Sequence, residues 1–150
     1  MFAPSMTQTK AMLSVFETIR DSNALGDDLR ITYTPYPIVR ITDSDVHFRT
    51  VGRREKVEEE GRKTHGMRLR GSGAHRVVCD EGAYIADEVV RKVILPMLAD
   101  HKDAQLILVS TPFGRNHFYR RYLRGVSGAS EHRKGYRSWT FPSQGNPHLN

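Results

Sequence analysis

The sequence predicts an α/β fold built on a mainly parallel sheet flanked by helices. Two short apolar runs, at 76–79 and 105–109, are continuous rather than alternating, which is typical of strands buried on both faces. A helical pattern over residues 85–98 separates them, and the order strand, helix, strand, helix favours parallel pairing. With 150 residues, 38% of them hydrophobic and 27% charged, the chain has the composition of one globular domain.

The first part of the chain predicts one helix followed by three short strands. Apolar residues recur at helical spacing over residues 7–20, after Ser5 or Thr7 as a helix cap. Runs rich in β-branched and aromatic residues at 29–34, 38–42 and 46–51 predict strands, and turn residues at 43–45 predict a hairpin between the last two. Residues 52–73 are polar, which indicates an exposed helix and loop.

The second part of the chain completes the predicted alternation of helix and strand. We expect the helix over residues 85–98 to break or bend at Pro96. A short helix is predicted over residues 116–124, with Gly125 as its C-cap. A final strand is predicted at residues 136–141, where Trp139 is expected to pack in the core or on a sheet face. The alternative for Trp139 is a platform on which bases stack.

The single cysteine, Cys79, excludes an internal disulfide and favours a reducing compartment. It lies in a predicted buried strand, where a small core residue is expected. No apolar run reaches the roughly 18–20 residues that a membrane span needs.

The net charge of +6 is concentrated in one stretch of the chain. Residues 113–138 carry seven basic residues against Glu131 alone, and a smaller basic bias lies at 61–79. This distribution suggests a polyanion such as phosphate or nucleic acid. A solvated helix face followed by a basic loop explains it equally well.

An acid pair follows the first apolar strand directly. Asp80 and Glu81 would project into the crevice at the carboxyl end of a parallel sheet, where ligands bind. A nucleotide triphosphatase uses the first acid of such a pair to hold Mg²⁺ and the second to orient the attacking water. The alternative is a strand end whose acids cap the next helix.

Hydroxyl side chains follow the second apolar strand. Ser110, Thr111 and Pro112 would emerge at the same edge of the sheet as the acids, where the hydroxyls could sense a γ-phosphate. The alternative is a simple turn and helix cap. The phosphate loop Gly-x-x-x-x-Gly-Lys-Ser/Thr is absent from the chain, because no lysine follows a glycine. Either the chain is not this kind of enzyme or it lacks its beginning.

The ordered combination of motifs resembles one family, the large terminase subunit of tailed phages, a motor ATPase that packages viral DNA. The similarity extends over nearly the whole chain. The matching segments are Ala3-Pro4-Ser5 with Gln8-Thr9, the hairpin at 38–51, Leu69-Arg70-Gly71 with Gly73-Ala74-His75, the strand end Val77-Val78-Cys79-Asp80-Glu81-Gly82-Ala83-Tyr84-Ile85, the segment from Ser110-Thr111-Pro112 to Phe118-Tyr119, and Phe141-Pro142-Ser143 with Asn146-Pro147-His148-Leu149.

The resemblance implies a P-loop NTPase domain of the RecA-like (ASCE) class, with a β-hairpin insertion and with ATP and Mg²⁺ as cofactors. It implies that Asp80 coordinates Mg²⁺ through water and that Glu81 is the catalytic glutamate. It further implies that Ser110, Thr111 and Pro112 form the motif that couples hydrolysis to DNA movement, with Ser110 and Thr111 near the nucleotide. Arg70 lies where family members can place an arginine finger, and its alternative is a surface cap or ion pair.

The resemblance also implies departures and partners. The first βα unit with the phosphate loop and the C-terminal nuclease domain are missing, so residues 1–150 correspond to a partial ATPase domain that alone is expected to be inactive. The complete motor would act in the host cell cytoplasm, transiently at the viral procapsid. Its partners would be double-stranded viral DNA, other terminase subunits in a ring, the portal protein and the small terminase subunit.

Two other functions stay open on the sequence alone. One is a fragment of a helicase-like P-loop motor, which also pairs an Asp-Glu strand end with a Ser/Thr-rich one. The other is a non-catalytic nucleic-acid-binding domain that uses its basic stretch. Four arginines around the predicted helix at 116–124 are candidates for DNA contact, namely Arg115, Arg120, Arg121 and Arg124.

Overall fold

The computed structural model describes residues 1–3, 5–51 and 73–145. The chain divides into two compact units, Met1–Thr111 and Pro112–Asn150, and each is described separately below. The polar region at 52–72 lies outside the described residues, and the predictions made for it stay predictions.

A parallel sheet forms the centre of the first unit. Its strands are β1 (Phe2–Ala3), β5 (Arg49–Thr50), β6 (Arg76–Cys79) and β7 (Gln105–Leu108), in the order β5-β1-β6-β7. Every pairing in this sheet is parallel, with Val77 opposite Leu106 and Cys79 opposite Leu108. The predicted α/β fold with a mainly parallel sheet flanked by helices is confirmed.

One face of this sheet packs on a helical segment that we call α2. It consists of Asp87–Val89, a π-helical stretch Val90–Ile94, and Leu95–Leu98. Its buried face forms the main core with side chains of β1, β6 and the residue after β5. Of the break or bend predicted at Pro96, the break does not occur, because the segment runs on to Leu98. The wider π stretch ends at Ile94, two residues before this proline, which has no N–H to continue the α-helical bonding pattern.

Helix α1 (Met6–Asp21) and an antiparallel sheet form the rest of the first unit. The Ser5 side chain accepts a hydrogen bond from the Gln8 N–H and caps α1. The sheet contains β2 (Leu29–Thr32), β3 (Ile38–Ile41) and β4 (Ser44–His47), in that order. Leu13, Leu29, Val39 and Phe48 form a second buried cluster between helix and sheet.

The predicted hairpin exists, but its turn and its last strand differ from the prediction. The turn residues are Thr42 and Asp43, with Thr42 at φ 49°, and Ser44 already belongs to β4. The run at 46–51 is divided, since β4 pairs with β3 whereas β5 pairs with β1. Phe48 lies between the two strands and is 1% exposed.

The second unit contains helix α3 (His117–Gly125) and a long irregular segment. The Asn116 side chain accepts hydrogen bonds from the N–H groups of Phe118 and Tyr119 and caps the helix. The predicted strand at 136–141 is wrong. These residues contact α3 through the side chains of Ser138 and Thr140 instead of a neighbouring strand.

Gly125 also differs from its predicted role, because it is the last helical residue and Val126 is the C-cap. Within the described parts of the chain, no helix is long and apolar enough to cross a membrane.

Candidate functional site

The carboxyl ends of β6 and β7 are joined by backbone hydrogen bonds. The Val109 N–H donates to the Cys79 carbonyl at 2.9 Å, and the Gly82 N–H donates back to the Val109 carbonyl at 2.9 Å. The Asp80 N–H donates to the Phe2 carbonyl of β1 at 2.9 Å. Three parallel strands therefore fix the backbone from which the acid pair and Ser110 extend.

Glu81 has a left-handed backbone conformation, with φ 50° and ψ 42°. A non-glycine residue pays about 1 kcal/mol or more for this conformation, so the surrounding bonds must hold it. It turns the chain out of β6 into the short 3₁₀ turn Gly82–Tyr84, in which Gly82 and Ala83 are buried. The Glu81 side chain is thereby directed along the edge of the sheet toward the end of β7.

A side-chain bond connects the two strand ends. The Ser110 hydroxyl donates to Glu81 Oε2 at 3.1 Å, and Asp80 Oδ1 accepts from the Glu81 N–H at 3.0 Å. Asp80, Glu81 and Ser110 are all half-buried, so solvent and ligands reach them. Thr111 is exposed, and the described contacts include no bond between it and the acids.

The site offers hard oxygen donors on half-buried residues at one edge of the sheet. Mg²⁺ is typically bound by one or two carboxylates together with phosphate oxygens and water. Among the described residues, no group of three or more His, Cys, Asp or Glu side chains could enclose a metal ion. Asp80 and Glu81 offer oxygen ligands of the kind that a magnesium ion bound to a phosphate ligand uses.

The four candidate arginines belong to the second unit, and their environments differ. Arg115, Arg120 and Arg124 are exposed. Arg121 is half-buried, and its Nη1 lies 3.0 Å from Nδ1 of the buried His117 and 3.4 Å from the His117 carbonyl oxygen. Arg121 thus stabilises the helix locally, whereas the other three present their charge at the surface.

Comparison with solved structures identifies the fold. The chain is similar to the ATPase domain of a large terminase from a Thermus phage, with 21% sequence identity and a TM-score of 0.58. The match covers 92% of this chain and 58% of that one. The chain has the fold of a terminase ATPase domain. A mutant of the same domain, with an arginine replaced by alanine, matches at 20% identity and a TM-score of 0.58, again over 92% of this chain and 58% of that one.

Neither a family model nor a curated protein matches the chain. The chain spans 58% of the terminase ATPase domain that it matches. Arg70 lies outside the described residues, and its predicted role as an arginine finger in a terminase-type site stays a prediction. Pro112 is exposed and begins the second unit, so the boundary between units falls within the predicted coupling motif.

Sequence reasoning missed two features of the second unit. Trp139 was expected to be packed, but it is 67% exposed, and Phe141 is 88% exposed. Gly125 allows close contact with the segment at 136–141, since an added Cβ would clash with Ser138 Oγ and lie 2.5 Å from the Arg137 carbonyl carbon. Serine and threonine at alternating positions 138 and 140 were the signal that one side of this segment faces a polar partner.

Proposed function

We propose that this chain is the central part of the ATPase domain of a viral DNA-packaging motor. In the complete protein, this domain couples Mg-ATP hydrolysis to the translocation of double-stranded DNA into a capsid. The observation that carries the proposal is the 3.1 Å hydrogen bond between Ser110 and Glu81. It connects the acidic residue after β6 to the hydroxyl residue after β7. The terminase fold supports the same interpretation.

Asp80, Glu81 and Ser110, which we call the strand-end site, each have a distinct proposed role. Magnesium, when bound with ATP, neutralises charge on the β- and γ-phosphates. Asp80 holds that ion through water, and its second contact, to the Glu81 N–H, orients the carboxylate. Glu81 orients the attacking water and accepts its proton. Ser110 holds one oxygen of the Glu81 carboxylate and leaves the other for the water.

Ser110 also links the proposed nucleotide site to the motif that is proposed to couple hydrolysis to DNA movement. Its bond to Glu81 ties the catalytic acid to the first residue of the Ser110-Thr111-Pro112 motif. A change at the γ-phosphate that repositions Glu81 therefore changes the contacts at the start of this motif, and the second unit begins at Pro112. We propose that this connection couples hydrolysis to DNA movement, with Thr111 near the nucleotide and Arg115, Arg120 and Arg124 toward the DNA phosphates.

The phosphate loop is not among the 150 residues, so we propose that this polypeptide alone has no appreciable ATPase activity. The proposed complete motor works in the host cell cytoplasm as a ring of subunits. Its proposed partners are the portal protein, the small terminase subunit and viral DNA. In that ring, Arg70 would reach a neighbouring subunit's nucleotide.

The test uses the chain extended to include its phosphate-loop segment, with ATP hydrolysis and nucleotide binding measured separately. Glu81→Gln keeps the side-chain shape and the bond from Ser110 but removes the base. We expect at least about 100-fold slower hydrolysis with ATP affinity retained. The matched control is Glu88→Gln, which changes an exposed acid paired with Lys92 on α2. Normal turnover by Glu81→Gln, or an equal loss in the control, would exclude Glu81 as the catalytic base.

A second pair of variants tests the positioning role of Ser110. We expect Ser110→Ala to lower kcat with little change in KM, because the Glu81 carboxylate loses its fixed orientation but the nucleotide contacts remain. Ser110→Thr keeps the hydroxyl and should restore most of the rate. Failure of threonine to restore the rate would contradict the hydrogen-bonding role.

One observation favours a second candidate function, a non-catalytic nucleic-acid-binding domain. Residues 113–138 contain seven basic residues and a single acidic one. These basic residues could bind a polyanion without any nucleotide. In that case Glu81→Gln changes nothing measurable, and DNA affinity falls steeply with added salt. Magnesium-dependent hydrolysis by the extended chain would exclude this candidate.

A further inference from the structure

We propose that Trp139 and Phe141 form a platform on which unpaired bases of single-stranded DNA stack, beside a cluster of arginines that binds the phosphates. The proposal rests on the proposed function only in taking DNA as the polyanion. It concerns the segment at 136–141, which we call the platform segment. No part of the strand-end site contributes to it.

The platform segment is held against α3 by alternate residues. The Ser138 hydroxyl donates to the Tyr122 carbonyl at 2.8 Å, and the Tyr122 hydroxyl lies 2.9 Å from the Thr140 hydroxyl. The close approach at Gly125 holds the backbone of the same segment against the helix. Ser138 and Thr140 bond to the helix through their side chains, whereas Trp139 and Phe141 leave most of their surface open to solvent.

These two side chains are unusually exposed for their type. Trp139 is 67% exposed and Phe141 is 88% exposed. Exposed aromatic rings two residues apart offer flat apolar surface to a ligand.

Positive charge surrounds the platform segment. The Arg124 guanidinium lies over the Tyr136 ring, 5.7 Å from its centroid. The Arg133 N–H donates to the Arg124 carbonyl at 2.9 Å, which places Arg133 at the C-terminal end of α3. Arg137 belongs to the platform segment itself. The Arg124 side chain and the backbones of Arg133 and Arg137 therefore lie near the C-terminal end of α3, in a stretch whose single acid is Glu131.

The arginines and the two exposed aromatic rings together favour single-stranded DNA as the ligand. Phosphate backbones are attracted by the arginines, and base faces stack on aromatic rings in proteins that bind single strands. Bases in a duplex already stack on each other, so an intact duplex uses the arginines but leaves Trp139 and Phe141 uncovered. A single strand, or a locally unpaired stretch at a DNA end, satisfies both features.

The chain contains its own reporter, because Trp139 is its only tryptophan. The experiment titrates the 150-residue chain with a short oligothymidine and with a duplex of equal length, at low and moderate salt, and follows tryptophan emission. We expect quenching by the single strand and little change with the duplex. Emission unchanged by the single strand at saturation would overturn the proposal.

Variants separate stacking from phosphate contact. Trp139→Ala should weaken single-strand binding by at least about tenfold, as measured by anisotropy of a labelled oligonucleotide, and duplex binding by less than about twofold. Trp139→Phe keeps an aromatic face and should bind within a few-fold of the original chain. The control is Tyr33→Ala, which removes a 49% exposed aromatic from the first unit and should leave both affinities unchanged.

Other outcomes exclude the platform and are distinguishable from failure of the ATPase proposal. Equal losses for single strand and duplex would mean that the residue supports phosphate binding only. Loss of self-association in Trp139→Ala without loss of DNA affinity would mean that the rings cover a second copy of the chain. Glu81→Gln should leave the titration unchanged, so an inactive strand-end site does not affect this result.

Discussion

The strand-end site and the arginine-rich second unit present their polar groups in different ways. Asp80 and Glu81 follow strand β6, whose residues Val77 and Cys79 are almost completely buried, and Ser110 follows the partly buried strand β7. Each of the three is held by at least one hydrogen bond. In the second unit the described residues include one buried side chain, His117, and most of the charges point to solvent.

This difference matches what the two regions are proposed to do. In-line attack on a phosphate requires positions fixed to a fraction of an ångström, which only a rigid sheet provides. Binding a DNA backbone requires charge at the surface and tolerates movement, because it does not depend on sequence or exact position. Stability should therefore depend on the first unit, and nucleic-acid affinity on the second.

The largest expected effect tests where the stability lies. Ile94 is completely buried under the parallel sheet, and Ile94→Ala should lower the free energy of unfolding by about 2–5 kcal/mol. Trp139→Ala removes a larger side chain from an exposed position and should change it by less than about 0.5 kcal/mol. Urea unfolding followed by circular dichroism measures both. Similar decreases in the free energy of unfolding for the two variants would contradict the expectation that stability depends on the first unit.

How far the sequence predicts the structure also differs between the two regions. The strands predicted at 76–79 and 105–109 exist at 76–79 and 105–108. Their predicted burial on both faces is wrong for the second strand, since Ile107 is 40% exposed. The position of Ser110 beside Glu81 followed from the rule that parallel strands end at one edge. The left-handed backbone of Glu81 was not predictable, since local propensity opposes it and only the surrounding bonds hold it.

Strand predictions failed where tertiary contacts, and not the local sequence pattern, determine how a segment pairs. The run at 46–51 has one continuous β pattern, yet Phe48 fills a core cluster and the two flanking strands join different sheets. Residues 136–141 are rich in β-forming residues, but side-chain bonds to α3 hold them outside any strand. Pattern alone does not distinguish a strand partner from a helix partner.

A smaller effect tests the packing inside the second unit. Gly125→Ala places a Cβ 2.5 and 2.6 Å from the backbone of Arg137 and Ser138, which a side-chain rotation does not relieve. Alanine favours a helix over glycine, but the clash should dominate and cost about 1–3 kcal/mol. We expect faster amide hydrogen exchange at 136–141. Gly145→Ala is the control, because nothing lies within 4 Å of its added Cβ.

An increase in stability for Gly125→Ala would mean that helix propensity outweighs the contact and that the platform segment is not packed on α3. In that case contacts with α3 would not hold Trp139 in its exposed position. The fluorescence titration of this variant then separates a preformed platform from one that forms on binding.

The smallest expected effect is a pH dependence that belongs to the first unit. In the 150-residue polypeptide, burial lowers the pKa of the Met1 amino group to about 6, from an ordinary value of 8.0. Burial and the neighbouring Arg49 also lower the pKa of His47. Both groups bind protons more readily in the unfolded chain, so stability rises with pH between about 6 and 8. The gain from Met1 should be on the order of 1 kcal/mol, since the amine is partly exposed.

Thermal unfolding of the 150-residue chain at several pH values measures this gain. Acetylation of the Met1 amino group should remove most of it, and His47→Gln should remove the remainder. In the second unit, the hydrogen bond from Ser130 lowers the pKa of Glu131, so that unit loses this contribution only as acid protonates the carboxylate. If stability still rises with pH near neutrality after both changes, the titrating group is neither the Met1 amino group nor His47. That result would contradict the assignment of the pH dependence to these two groups.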